Sequence, residues 1–178
     1  SDDTTPTLSG AGATPGDVIK VYDNGSPIGS TTVQADGSWS FTPTTPLAEG
    51  THQLTTTSID PVGNESKPSG SLVINVDTTP PTAKATLSAI GTDTGTSSSD
   101  FVTSDRTLVA TVTVDKAMEP GATVQISLDN GRTWNKASPV GGDTYQFDNT
   151  ATALADGSHT FLARVVDAAG NAGSPTSQ

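Results

Sequence analysis

The stretch Leu47–Asn64 reads LAEGTHQLTTTSIDPVGN, and Leu154–Asn171 reads LADGSHTFLARVVDAAGN. Laid over each other at a constant offset of 107 residues and without a gap, they agree at seven of eighteen positions. Glu/Asp, Thr/Ser and Ile/Val exchanges fill further places. Chance accounts for far fewer agreements, so the chain is a tandem array of one unit. In each copy a histidine, His52 or His159, starts a run whose inward face continues at period two, to Leu54 or Phe161. Period two is the signature of a strand buried on one face.

Working outward, short runs of Val, Ile, Thr, Tyr and Phe are separated by Gly, Pro, Asn and Asp clusters. Almost nothing reads as helix. This spacing predicts an all-β fold of two tandem antiparallel β-sandwich domains. In the first unit, strands are expected near Thr5–Gly10, Val18–Tyr22, Ile28–Gln34, Ser38–Thr42, His52–Ile59 and Ser71–Val76. In the second they are expected near Ala83–Ala89, Leu108–Val114, Val124–Leu128, Thr133–Ala137, Thr144–Phe147 and His159–Val166. Asp23-Asn24-Gly25 and Asp129-Asn130-Gly131 are hairpin signals, because Asn and Gly tolerate positive φ. The prolines of Val76-Asp77-Thr78-Thr79-Pro80-Pro81 cannot donate ladder bonds and mark the linker. The domains are expected over residues 1–77 and 78–178. Each unit reads as short of one edge strand, the first of its initial strand and the second of its last. Excision across domain boundaries and strand exchange between copies both account for that.

Composition narrows the class. Apolar residues make up 31 % of the 178 and aromatics 4 %, so each core must be thin. The formal charge of −11 disfavours nucleic acid and anionic membrane as partners and suits divalent cations. Without cysteine there are no disulfides and no thiolate metal sites. No apolar run reaches membrane-spanning length, and no signal peptide is visible.

The run DDTTPTLSG…VYDNGSPIG…ADGSWSFTPTTPLAEGTHQLTTTSIDPVGN resembles the bacterial immunoglobulin-like repeats of giant, type I-secreted, biofilm-associated surface adhesins. In the second unit, GTDTGTSSSDFVTSD, SLDNGRTW and ARVVDAAGN resemble the same family. The resemblance covers nearly the whole chain. It implies a sandwich of about seven strands, secretion to the bacterial cell surface, and a spacer role in a long rod. It also implies stiffening by Ca²⁺. The partners it implies are neighbouring Ig-like repeats of the same chain, with a host or abiotic surface reached through other domains.

Two acidic features are candidates for Ca²⁺, which takes six to eight oxygens from carboxylates, amides and carbonyls. The first is the Asp-x-x-Gly-Asn turn, Asp60–Asn64 and Asp167–Asn171. In an immunoglobulin-like topology, Asp167 and Asn171 would face the linker carboxylate Asp77, with Asp115 and Glu119 reaching the same pole. The plain alternative is a tight turn in which Asp bonds its own backbone. The second is the long loop Gly91–Asp105, with Asp93, Asp100 and Asp105 among Ser, Thr and Gly. A solvated acidic loop is the alternative there. Neither an EF-hand pattern nor a glycine-rich nonapeptide occurs.

His52 and His159 read as hydrogen-bonded residues at the rim of the core, and Trp39 and Trp134 as core anchors more than sugar platforms. No nucleophile elbow appears. The expected function is a non-enzymatic spacer. A ligand- or carbohydrate-binding module, or an accessory domain of an extracellular enzyme, stands as the alternative.

Overall fold

The computed structural model describes residues 1–178 as two compact units, Ser1–Thr78 and Thr79–Gln178. Each is built only from antiparallel strands.

In unit 1 the strands are β1 (Leu8–Gly10), β2 (Val18–Asp23), β3 (Ser26–Thr32), β4 (Trp39–Phe41), β5 (Gly50–Ile59) and β6 (Leu72–Val76). One sheet has the order β3-β2-β5-β6, and β1 pairs with β4 in the other. The alternation of Val18-Ile19-Lys20-Val21 buries Ile19 and Val21 while Lys20 stays outside. Burying one such aliphatic side chain contributes about 1.5–3 kcal/mol. Those two residues cluster with Val33 and Phe41, and Leu8, Ala13, Ile28 and Trp39 pack around them. The β2–β3 hairpin turns on Asn24 (φ 47°) and Gly25 (φ 80°), and Asp23 faces Ser26 across it. Positive φ at both central residues gives the turn a twist that matches the strands it joins.

Unit 2 contains β7 (Ala85–Ile90), β8 (Val109–Val114), β9 (Thr123–Ser127), β10 (Asn135–Lys136), β11 (Ser138–Gly141), β12 (Thr144–Asp148), β13 (Leu162–Val166) and β14 (Thr176–Ser177). Its sheets run β11-β12-β8-β7 and β10-β9-β13-β14. Ala110, Val112 and Val114 of β8 alternate inward against Val124 and Ile126 of β9 and Ala163 and Val165 of β13. This core is the larger of the two, partly because β7 adds Ala85, Leu87 and Ile90. β7 has no counterpart in unit 1, where β1 and β4 form a sheet of two.

Three expectations change. The last strand of unit 2 does begin, as β14, opposite Leu162 and Ala163. The run predicted from His159 forms a strand only from Leu162, although Phe161 exchanges backbone bonds with Gln178. Ser138–Gly141 forms a strand that its Pro139 and Gly141 concealed; it sits at a sheet edge, where proline is tolerated.

Candidate functional site

The repeated Asp-x-x-Gly-Asn segment is the same device in both units. In unit 2, Asp167 Oδ1 accepts the backbone N–H groups of Ala169 (2.9 Å), Gly170 (2.8 Å) and Asn171 (2.8 Å). Its Oδ2 accepts the Asn171 side-chain amide at 2.8 Å. Asp167 N–H donates to the Asn171 carbonyl, and a bridge from Val166 to Ala172 closes the loop. In unit 1, Asp60 Oδ1 accepts Val62 and Asn64 N–H, and Oδ2 accepts the Asn64 amide. Gly63 (φ 95°) and Gly170 (φ 110°) make the reversal that a side chain would strain. Burial alone would raise the Asp167 carboxyl, but the Asn171 amide and the three N–H donors outweigh it and hold it below the usual value. The Asn64 amide and N–H lower Asp60 in the same way. These are Asx-type turns that satisfy their own carboxylates. A carboxylate offers about four lone-pair sites, two on each oxygen; three donors crowd Asp167 Oδ1, and Oδ2 accepts one and keeps a site open. Most of the acceptor capacity of Asp167 is thus used within its own turn.

The long loop of unit 2 is ordered by contacts that composition concealed. Phe101 takes φ 61° and packs against the unit 2 core. Its N–H donates to Asp93 Oδ2 at 3.1 Å. Ser104 N–H donates to the Thr94 hydroxyl, Val102 N–H to Asp100, and Thr107 N–H to Asp105. The Thr107 N–H, and then its hydroxyl, lower the Asp105 carboxyl. Asp93 Oδ1 is buried and accepts nothing from the protein. An orphaned carboxylate oxygen has a desolvation cost that a cation would offset, so Asp93 fits calcium better than either turn.

The remaining candidates are spread out. Asp115 Oδ1 accepts Lys84 N–H at 2.8 Å, and Asp115 N–H donates to the Lys84 carbonyl, so it caps the pairing of β7 with β8. The Glu119 carbonyl accepts Ala122 N–H in the following turn. Asp77 belongs to unit 1, where its N–H donates to the Ser1 carbonyl. No three His, Cys, Asp or Glu side chains are gathered closely enough to share one metal ion.

The two histidines differ. His52 is buried, with Nδ1 2.7 Å from Asp23 Oδ2 and Nε2 2.7 Å from the Ala48 carbonyl. His159 keeps the second bond, to Ala155, but is exposed. Its unit supplies Asp129 to other partners: the Thr133 hydroxyl and N–H and the Ser127 hydroxyl hold the Asp129 carboxyl down at about 2. The tryptophans part company as well. Trp39 packs on the unit 1 core across from Gly10. Trp134, against expectation, lies outside the core with the Arg164 guanidinium 3.8 Å above its ring. The cation–π stack covers one face of a ring that a sugar would need.

The family model of the bacterial Ig-like domain matches twice, over residues 1–78 and 79–178. Comparison with curated protein sequences gives no match. Among solved structures, the fibronectin(III)-like modules of Clostridium thermocellum CbhA are 18% identical, with a TM-score of 0.57 over 98% of this chain and 83% of that one. That likeness concerns the fold. A Ca²⁺-stabilised adhesin with which an Antarctic bacterium reaches out and binds ice is 20% identical, with a TM-score of 0.43 over 99% of this chain and 43% of that one. A tetra-tandem repeat from the extending region of a large adhesion protein is 26% identical, with a TM-score of 0.33 over 98% and 44%. The chain spans less than half of either adhesin structure.

Proposed function

The chain belongs to the bacterial Ig-like domain family in both of its halves, and from that premise we propose that it is a pair of structural spacer repeats of a bacterial cell-surface adhesin. The observation that carries this reading is the repetition itself. The Ig-like fold occurs twice, and the side-chain pairing that closes the Asp/Asn turn, Asn amide to Asp Oδ2, recurs at Asp60–Asn64 and Asp167–Asn171. Material repeated in this way supplies length and stiffness. The neighbours on either side would be further Ig-like repeats, and contact with a host or abiotic surface in biofilm formation would fall to other domains. The acidic surface and the lack of cysteine are compatible with secretion.

We further propose that Ca²⁺ stiffens the array. Asp93, with its orphaned oxygen, is the first ligand, and Asp100 and Asp105 stand in the same loop. Asp77 of unit 1 and Asp115 of unit 2 are further proposed contributors, each considered within its own unit. Asp60, Asn64, Asp167 and Asn171 hold their turns first. Bound calcium supplies positive charge that relieves repulsion between these carboxylates. Extracellular modules bind Ca²⁺ at roughly 10⁻⁴–10⁻³ M, and a hundredfold excess over the dissociation constant adds about 2.7 kcal/mol to the folded state.

Thermal melts in EGTA, millimolar Mg²⁺ and millimolar Ca²⁺ test this. The expected result is a rise specific to Ca²⁺ that Asp93→Asn reduces. Identical melts in all three would remove calcium from the account and leave a metal-independent spacer.

A further inference from the structure

The outer face of one sheet in unit 2 carries a row of hydrogen-bond donors. β9 and β13 turn Val124, Ile126, Ala163 and Val165 into the core. Side chains alternate across a strand, so Gln125 and Arg164 stand on the opposite face. They are direct partners across the ladder, and Lys136 of β10 is the partner of Gln125 on its other side. Neighbouring strands lie about 4.8 Å apart, so the row spans about 10 Å between its two cations.

Each member of the row offers donors. Arg164 Nε and Nη2 donate to Gln125 Oε1 at 2.9 and 2.8 Å. Arginine has no acceptor, so the amide turns its oxygen to Arg164 and keeps its NH₂ for another partner. The guanidinium lies 3.8 Å from the centre of the Trp134 ring. That stack and the bonds to Gln125 fix its plane. The remaining N–H groups on Nη1 and Nη2 form a fork that takes a carboxylate with two parallel bonds. Neither Arg164 nor Lys136 is ion-paired. The other residues on this face of β9 and β13 are Thr123, Ser127, Leu162 and Val166, none of them acidic.

The kind of anion follows from what surrounds the row. An acidic peptide joining by β-augmentation needs a sheet edge. Here β10, β9, β13 and β14 already pair side by side, and the face offers side chains only. A nucleic acid strand carries a phosphate about every 3.4 Å, and a chain of net charge −11 repels so dense an anion. A polyuronide carries one carboxylate per sugar ring and meets separated cations one at a time. At physiological salt, charges beyond about 8 Å are screened, so the row acts on what lies against it.

We propose that this face binds an anionic polysaccharide of the uronic acid class. Arg164 grips one carboxylate through its fork, Gln125 donates its amide N–H to the same sugar, and Lys136 meets a second carboxylate farther along. Trp134 holds Arg164 in place and does not stack on sugar. The proposal does not rest on the spacer reading, since it concerns one face of one unit.

The probe is an oligogalacturonate, titrated in EGTA into the ¹⁵N-labelled 178-residue chain. Saturable shifts are expected at the Trp134 indole N–H, the Arg164 Nε–H and the Gln125 side-chain amide, and they should vanish in about 0.5 M NaCl. Arg164→Lys keeps the charge without the fork and should weaken binding about tenfold. Lys136 is exposed and outside the stack, so Lys136→Gln should weaken binding while leaving the fold intact. A neutral glucose oligomer should shift nothing. Absence of saturable binding overturns the proposal, as does unchanged affinity in both variants. Equal shifts of the same residues by an oligoglutamate or a thymidine oligonucleotide would overturn the assignment to a uronate.

Discussion

His52 and Asp23 meet at 2.7 Å, joining the end of β2 to the start of β5, and the other ring nitrogen of His52 meets the Ala48 carbonyl at the same distance. Both nitrogens face acceptors, an arrangement that favours the doubly protonated imidazolium over the neutral ring. With 6% of its surface exposed, the ring in its protonated form is a buried charge paired with a carboxylate. Breaking one side of such a pair leaves the other uncompensated.

The first prediction concerns pH. The Ala48 carbonyl first, and then Asp23, raise His52 above 6.5. A group whose folded value is raised contributes stability fully below its unfolded value and loses it as pH rises through the folded one. Unit 1 should therefore weaken above pH 6.5, and urea midpoints measured from pH 6 to 9 should fall. His52→Gln should flatten that dependence. A wild-type slope in the variant would mean that another group titrates.

A second prediction orders the two turns. Asp167 is buried, and Asp167→Ala strands the Asn171 amide and the N–H groups of Ala169, Gly170 and Asn171; losing bonds to a charged group costs about 1–3 kcal/mol. Asp60→Ala removes the same device from an exposed segment, where water replaces the lost bonds. Calorimetry should show the larger melting-temperature loss for Asp167→Ala. The reverse order would contradict the assignment of the burial difference as the cause.

How far the sequence carried is visible in these same residues. The hairpin at Asn24-Gly25 and the inward alternation of Val18–Val21 were legible because local chemistry decides them. So was the repeated turn, since its Asp, Gly and Asn each perform a backbone task. The pairing of His52 with Asp23 was not legible, because it joins residues 29 apart on neighbouring strands. Nor was the role of Phe101: one aromatic in a polar loop is a signal of anchoring, but nothing local says what it anchors to. The difference between Trp39 and Trp134 depended on which strand face each one met.

A third prediction tests packing in the thin core. A Cβ on Gly29 would stand 2.5 Å from the Phe41 ring, and the residue holds φ at +151°. Gly29→Ala should cost about 1–3 kcal/mol through overpacking. Gly70→Ala, with open space around it, is the control and should be near neutral. Equal stability of the two variants would show that Phe41 gives way freely.

A fourth prediction concerns acid. Thr133 and Ser127 depress the Asp129 carboxyl to about 2. A depressed folded value contributes stability above the unfolded value near 3.8 that is lost as pH falls toward 2. A carboxyl titration by NMR should place Asp129 among the lowest in the chain. Asp129→Asn should reduce the loss of unit 2 stability between pH 4 and about 2; unchanged acid sensitivity would argue against it.

The central claim is a spacer stiffened by calcium. Small-angle X-ray scattering of the 178-residue chain in EGTA, Mg²⁺ and Ca²⁺ tests it most directly. The account predicts a larger maximum dimension and a narrower distribution of shapes in Ca²⁺ alone, reversed by EGTA. Superimposable curves under all three conditions would contradict it.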